Sequence, residues 1–320
     1  MSCRGAVRRR RTKTDGCVAQ LVEQLTLNQW VQSSNLCAST TLRLCKASGG
    51  RPPVMLSPII QFFTRKKPLE NADARHWAEI LKSLGYKTRY KKRAGYRVWG
   101  NGIDIVGRAL NTLGTSCVVL GGEYDFGPQT DDFIVIDIGL NLGITSLYMA
   151  KKDFVKKIYG FEPFKIIFAM AKRNMRRNRR LARKIEIYNI GLSDQNGHVS
   201  VAFNPWMPGS MSTANDNFKN MGFFYENAEL RRASAILGPI FEKHHEKIML
   251  KIDCEGSERQ ILPDLAAAGL LDRASVLIME YHDNIVEPLV ELLKQHHFDV
   301  DVYNESAEYK TGMIKALRAI

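Results

Sequence analysis

The sequence predicts an α/β protein: a doubly wound, mostly parallel sheet preceded by an N-terminal α+β lead-in. Two observations carry this. Apolar runs of strand length, beginning at Phe133 and continuing at 157–161, 247–253, 274–280, 298–303 and 312–317, alternate with helical patterns. That alternation places helices on both faces of a parallel sheet. Four of the runs end in acids, at Asp137, Glu162, Asp253 and Glu280, and ligands bind at the carboxyl edge of such sheets.

The first 54 residues differ from the rest. They hold nine of the 46 Lys and Arg against two Asp or Glu, and four of the six cysteines. Cys3, Cys17, Cys37 and Cys45 lack the paired C-x-x-C spacing of a zinc site, so no metal is read there. Arg8 to Arg11 are followed by no apolar segment of leader type. Residues 17–40 resemble the conceptual translation of a transfer-RNA gene, which implies that residues 1–54 are a spurious or disordered extension and that translation starts at Met55. From Met55 the chain then carries +6 of the formal +13 and only Cys117 and Cys254, as suits a reducing cytoplasm.

Residues 55–130 read as a cap on the sheet. An apolar-basic lead, MLSPIIQFFTRKK, precedes a helical pattern over 72–84 with Trp77, Ile80, Leu81 and Leu84 at helical spacing. Residues 97–120 are alternating and turn-rich, and Gly121-Gly122 is read as a hairpin turn. Residues 131–320 form the main domain. With 45% hydrophobic residues the chain is not disordered as a whole, and about 190 residues suffice for one doubly wound domain. No uncharged apolar run is long enough to span a membrane.

FIVIDIGLNLGITSLY, residues 133–148, carries the chemistry: an apolar strand reaches Asp137, turns on Gly139 and Gly143, and continues as an apolar helix. Glycine gives such a loop positive φ or close approach to a ligand. The G-x-G-x-x-G of nicotinamide proteins is absent, since Leu140, Asn141 and Leu142 follow Gly139. The spacing suits a cofactor without pyrophosphate. Glu162 closes the next strand, where an acid accepts both ribose hydroxyls, and Pro163 suits a helix start.

Further on, KIMLKID runs into Cys254-Glu255-Gly256-Ser257-Glu258, and ASVLIME ends at Glu280-Tyr281-His282-Asp283. Glu258 and Asp283 are read as helix caps. DIGLNLG with FEP, GLSD at 191–194, KIDCEGSE and MEYH together resemble the FkbM family of S-adenosylmethionine-dependent methyltransferases, over residues 120–302. The family pattern differs at Leu140, where a small residue is common, and at Cys254, where valine is common.

The resemblance implies a Rossmann-like class I methyltransferase fold with a seven-stranded sheet, one of whose last two strands is antiparallel. It implies that Asp137, Gly139 and Gly143 cradle the methionine end of S-adenosyl-L-methionine, that Glu162 holds the ribose, and that Asp194 faces the adenine. Residues 193–197 also make a good hairpin turn between two strands, which is the competing reading of Asp194. Asn141 and Thr145, one turn apart, either orient the methionine carboxylate or cap and pack.

A hydroxyl acceptor must lose its proton during transfer, and Asp253, Glu255 and His282 are the catalytic candidates. The same three have the chemistry to hold a divalent ion, although nothing in their spacing demands one. Residues 204–233 are either a lid over the acceptor or a surface excursion. The basic segment 172–184 reads as one helix with a solvated outer face and an inner face of Phe168, Met175 and Leu181. It lacks the interleaved aromatics of an RNA-binding surface.

The expectation is therefore a cytoplasmic O-methyltransferase acting on a small-molecule or glycan hydroxyl. Two rivals are an RNA methyltransferase, whose RNA binding falls steeply with salt, and a non-catalytic cofactor-binding or scaffold protein, which binds the cofactor without turnover.

Overall fold

The computed structural model describes residues 72–92, 94–127, 129–203, 224–282, 286–306 and 311–318. The expectations for residues 1–54, for the apolar-basic lead, for Asp283 and for the stretch 204–223 fall outside these.

The lead-in begins with α1 (Ala72–Ser83), whose one-sided apolar spacing buries Ala74, Trp77 and Leu81. After it come β1 (Lys87–Lys91), β2 (Gly95–Gly100) and β3 (Ile103–Gly107), an antiparallel three-stranded sheet. Asn101 and Gly102 make the β2–β3 turn with φ of 46° and 79°, the left-handed pair that matches hairpin twist. Within the stretch 97–120, read as alternating and turn-rich, the first part lies in β2 and β3, but the second is the helix α2 (Asn111–Gly121), and Gly122, read as a hairpin turn, is its C-cap at φ 103°. This helix escapes a periodicity argument because Thr112, Leu113, Gly114, Ser116, Cys117, Val119 and Leu120 are all buried. It packs on α1 so closely that a Cβ on Gly114 would sit 3.3 Å from the Trp77 ring.

The main domain follows with β4 (Phe133–Ile138), α3 (Ile144–Ala150), β5 (Val155–Phe161), α4 (Lys165–Arg177), α5 (Arg179–Ala182), β6 (Ile185–Tyr188), β7 (Gly191–Ser193), β8 (Gly197–Phe203) and β9 (Phe224–Arg232). It continues with α6 (Ala233–Lys243), β10 (Lys247–Ile252), α7 (Glu258–Ala267), β11 (Ala274–Tyr281), α8 (Val286–Gln295), β12 (Phe298–Ser306) and β13 (Thr311–Arg318). Seven strands form one sheet in the order β12-β13-β11-β10-β4-β5-β6. The pairings from β11 to β6 are parallel, and β13 runs antiparallel to both β11 and β12. The fold is the doubly wound α/β sheet that the sequence predicts, with the expected antiparallel strand.

Strand β4 is buried along its whole length because both faces are covered. Phe133 and Val135 join a core with α1, α2 and α3. Ile134, Ile136 and Ile138 join a second core on the opposite face, with Leu237 of α6, Leu262 of α7 and Leu293 of α8. Full burial of such a side chain contributes about 1.5–3 kcal/mol relative to exposure, so the central strands anchor the loops at their ends.

Two local readings need correction. The basic segment is not one helix. It breaks at Asn178 (φ −116°, ψ 47°) between α4 and α5. The Asn178 amide is committed to β3: its Oδ1 accepts from Asp104 N–H at 2.8 Å and its Nδ2 donates to the Asp104 carbonyl at 2.7 Å. Asn174 similarly accepts from Val106 N–H at 2.9 Å and donates to the Leu142 carbonyl at 2.9 Å. The inner face of α4 is thus Ile167, Ala171, Asn174 and Met175. Residues 193–197, in turn, make no hairpin. β7 and β8 lie on either side of β9, parallel and antiparallel to it. The link between them passes the end of β9, where Asn196 Oδ1 accepts from Arg232 N–H at 2.9 Å.

Candidate active site

The glycine loop leaves β4 and is held by the end of β5. Gly139 and Leu140 N–H donate to the Phe161 carbonyl at 3.1 and 2.9 Å, and Gly143 N–H donates to the Leu140 carbonyl at 2.8 Å. Gly139, Asn141 and Gly143 have φ of 81°, 50° and 76°, the left-handed region open to glycine and tolerated by asparagine. Gly139 is also demanded by packing, since a Cβ there would lie 1.7 Å from the Asp253 carbonyl oxygen. The loop is therefore pressed onto the end of β10. Leu140, the departure from the family pattern, is accommodated from below: it lies over Gly160, where a Cβ would meet Leu140 Cδ1 at 2.7 Å.

Glu162 is buried and ties the loop to the next element. One carboxylate oxygen accepts from Asn141 N–H at 2.9 Å and the other from Phe164 N–H at 3.0 Å. Burial pushes its pKa up to about 7, against the two backbone donors and Lys251, with Glu226 adding to the rise. Each carboxylate oxygen has two lone pairs, so this donor pattern leaves acceptor capacity for a vicinal diol. Thr145 is buried in the first turn of α3.

Asp137 is fully buried. Its Oδ2 accepts from Ser146 Oγ at 2.6 Å, and its Oδ1 lies 3.2 Å from Lys251 Nζ. Lys251 is also buried. It donates to the Gly139 carbonyl at 2.7 Å, lies 3.5 Å from Asp253 Oδ2, and sits 5.4 Å from the centre of the Tyr124 ring. Burial works against its charge, but Asp137 and Asp253 outweigh that and raise its pKa. Tyr124 Oη donates to Asp253 Oδ2 at 3.1 Å.

The ends of β10 and β11 bring Asp253, Glu255 and His282 together, with one ligand atom from each lying within 4.8 Å of the others. Glu255 has φ 56°, an uncommon conformation for a non-glycine residue. His282 Nε2 lies 3.3 Å from Glu255 and 4.0 Å from Glu280. Its Nδ1 lies 2.6 Å from Glu258 Oε1. Glu258, read from sequence as a cap, is buried in the first turn of α7, and its Oε2 accepts from Gly256 N–H at 2.9 Å and from Cys254 Sγ at 3.3 Å. Burial opposes protonation of His282, but Glu255, Glu258 and Glu280 hold its pKa well above the ordinary imidazole value. Burial drives Glu255 far up despite His282. It also pushes Glu280 up to about 7, with Asp253 adding to the shift and His282 opposing it.

The loop, Glu162 and the Asp253–Glu255–His282 group thus share one rim, formed by β4, β5, β10 and β11. Asp194 is exposed after β7, with Ser193 Oγ donating to it at 3.1 Å. Lys251, Tyr124 and Glu258 were not among the candidates. A lysine in an otherwise apolar strand that ends in acids was the available signal for the first, and Glu258 had the signal of a helix cap.

A family model described as the methyltransferase FkbM domain matches residues 137–309, more than half of the chain. Methyltransferase 1 of Beauveria bassiana is 28% identical over 183 residues, which is 52% of this chain and 69% of the relative. Methyltransferase sdnD of Sordaria araneosa is 26% identical over 204 residues, 55% of this chain and 78% of the relative. Among solved structures, the methyltransferase FkbM from Methylobacillus flagellatus is 14% identical with a TM-score of 0.41. That match covers 76% of this chain and 60% of the other.

Proposed function

The chain belongs to the family of FkbM methyltransferase domains, and we propose that it moves a methyl group from S-adenosylmethionine to a hydroxyl of a small-molecule or glycan acceptor. The carrying observation is the bond from Asn141 N–H to Glu162 at 2.9 Å. It fuses the glycine loop and the strand-ending acid into one binding edge beside an acid–imidazole group.

S-adenosylmethionine supplies, when bound, a methyl group already activated on a sulfonium. The protein must align and desolvate an acceptor oxygen. Glu162 would hold the ribose hydroxyls, and Asn141 and Thr145 would border the methionine end. Lys251 lies beside both Asp137 and Asp253 and donates to the Gly139 carbonyl, which ties the glycine loop to β10. Asp253, Glu255 and His282 face the acceptor and handle its hydroxyl proton, which must leave as the O–CH3 bond forms. The names of the two fungal relatives specify methyl transfer and no acceptor; the hydroxyl reading rests on this proton-handling group.

A thermal-shift titration with S-adenosylmethionine, S-adenosylhomocysteine and NAD tests the cofactor. Stabilisation by the first two alone is expected, reaching about 4 kcal/mol at 1,000 times the dissociation constant. Stabilisation by NAD alone, or by none of the three, removes the reading. Methyl transfer from labelled cofactor to a panel of hydroxyl compounds then identifies the acceptor.

A further inference from the structure

We propose that Asp253, Glu255 and His282 form a site for one hard divalent cation, magnesium or manganese, which holds the acceptor's hydroxyl oxygen. The role given to the acceptor rests on the methyl-transfer reading; the cation site itself does not.

The first observation is spacing. The three ligand atoms lie within 4.8 Å of one another. Ligands of an octahedral magnesium ion, with bonds of about 2.1 Å, stand about 3.0 Å apart when adjacent and about 4.2 Å apart when opposite, with at most one of three pairs opposite; His282 Nε2 and Glu255 already stand 3.3 Å apart. Small side-chain rotations therefore close the three around an ion and leave its other positions to water and substrate oxygen. The two carboxylates suit magnesium or manganese, and the imidazole is a ligand that manganese takes more readily than magnesium.

The second observation is independent of the ligand atoms and concerns what lies behind the histidine. Glu258 is buried with 2% exposure, accepts from Gly256 N–H, and takes His282 Nδ1 at 2.6 Å. A metal-binding histidine is characteristically tied in this way at its far nitrogen, which fixes the ring and presents the other nitrogen to the ion. The nitrogen presented here is Nε2, on the side of Glu255 and Glu280.

Charge argues the same way. Carboxylates of Asp253, Glu255, Glu258 and Glu280 crowd one imidazole, while the shortest contact of Lys251 is spent on the Gly139 carbonyl. A dication among them offsets the mutual repulsion that opposes their ionising together. As ligands the three act on the acceptor's proton through the ion: a hydroxyl touching it becomes more acidic and yields its proton to water. The O–CH3 bond then forms as the S–CH3 bond breaks, with that electron pair remaining on sulfur.

The test is manganese binding to the full chain, followed by electron paramagnetic resonance with detection of nitrogen coupling. One saturable ion per chain is expected, coupled to a histidine nitrogen and displaced by magnesium. Glu255→Gln should weaken it at least tenfold, and Glu258→Gln about 10- to 100-fold, each variant retaining the thermal shift with S-adenosylmethionine that certifies its fold. No saturable binding to the unaltered chain, binding without nitrogen coupling, or unchanged affinity in a folded Glu255→Gln overturns the site. Loss of the cation result with the cofactor shift intact leaves methyl transfer standing. A coupled ion without any cofactor shift does the reverse.

Discussion

Asp137 and Lys251 are direct partners across the β4–β10 register, both buried, with Oδ1 and Nζ 3.2 Å apart. Removing one member of a buried ion pair leaves the other charge stranded, at a cost of about 3–5 kcal/mol. Lys251→Met is therefore expected to lose stability of that size in urea unfolding, although methionine fills much of the space. A loss below about 1 kcal/mol would mean that Asp137 is satisfied without the ammonium.

Glu162 gives a pH prediction with a definite sign. Its pKa is raised from 4.5 to about 7 in the fold, so the folded state holds the proton more tightly than the unfolded chain. Its contribution to stability is fully present below about pH 4.5 and is lost as pH rises through about 7, up to about 3 kcal/mol in all. Glu162→Gln should remove that slope while abolishing stabilisation by S-adenosylmethionine. Cofactor affinity of the unaltered protein should rise as pH increases towards 7, because an ionised carboxylate accepts from both ribose hydroxyls. An affinity independent of pH between 5 and 8 argues against the ribose assignment.

Gly139 and Gly143 separate two reasons for glycine. A Cβ at Gly139 meets a backbone carbonyl at 1.7 Å, whereas at Gly143 it meets the mobile end of Met175 at 2.5 Å. Gly143→Ala should cost about 1–2 kcal/mol for the left-handed backbone and leave a folded protein. Gly139→Ala should cost more than about 4 kcal/mol, measured as loss of the cooperative unfolding transition. Equal effects would contradict the packing of the loop onto β10.

Asn174 bridges β3 and the loop that follows β4. Asn174→Ala leaves Val106 N–H and the Leu142 carbonyl without their partner, and each buried polar group so orphaned costs about 1–3 kcal/mol. The expected loss is about 2–6 kcal/mol, with Val106 amide exchange accelerated. Exchange unchanged at Val106 would show that another group replaces the amide.

What could be read from sequence was what residue type and strand position determine locally. Glycines at 139 and 143 and acids at strand ends announce a binding rim whatever the strand order. Lys251 and Glu258 were missed for a different reason: their partners are set by tertiary pairing. Lys251 meets Asp137 only because β10 lies beside β4, a strand from far earlier in the chain. Glu258 meets His282 because β11 brings it back 24 residues later. Helix α2 was hidden by burial on most of its sides, which erases periodicity, and the break at Asn178 by an amide whose partner is 74 residues away.

The asparagine of α4 and the one that follows it, Asn174 and Asn178, also bear on how the chain behaves in company. β3 is the outer strand of its sheet, and an outer strand with open N–H and C=O groups is a template for unwanted pairing with other chains. Here side-chain amides occupy the outward groups of Asp104 and Val106, so the helix counterfeits a neighbouring strand without being one. A protein that lost either amide would first become sticky, recruiting copies of itself along β3, and only afterwards inactive.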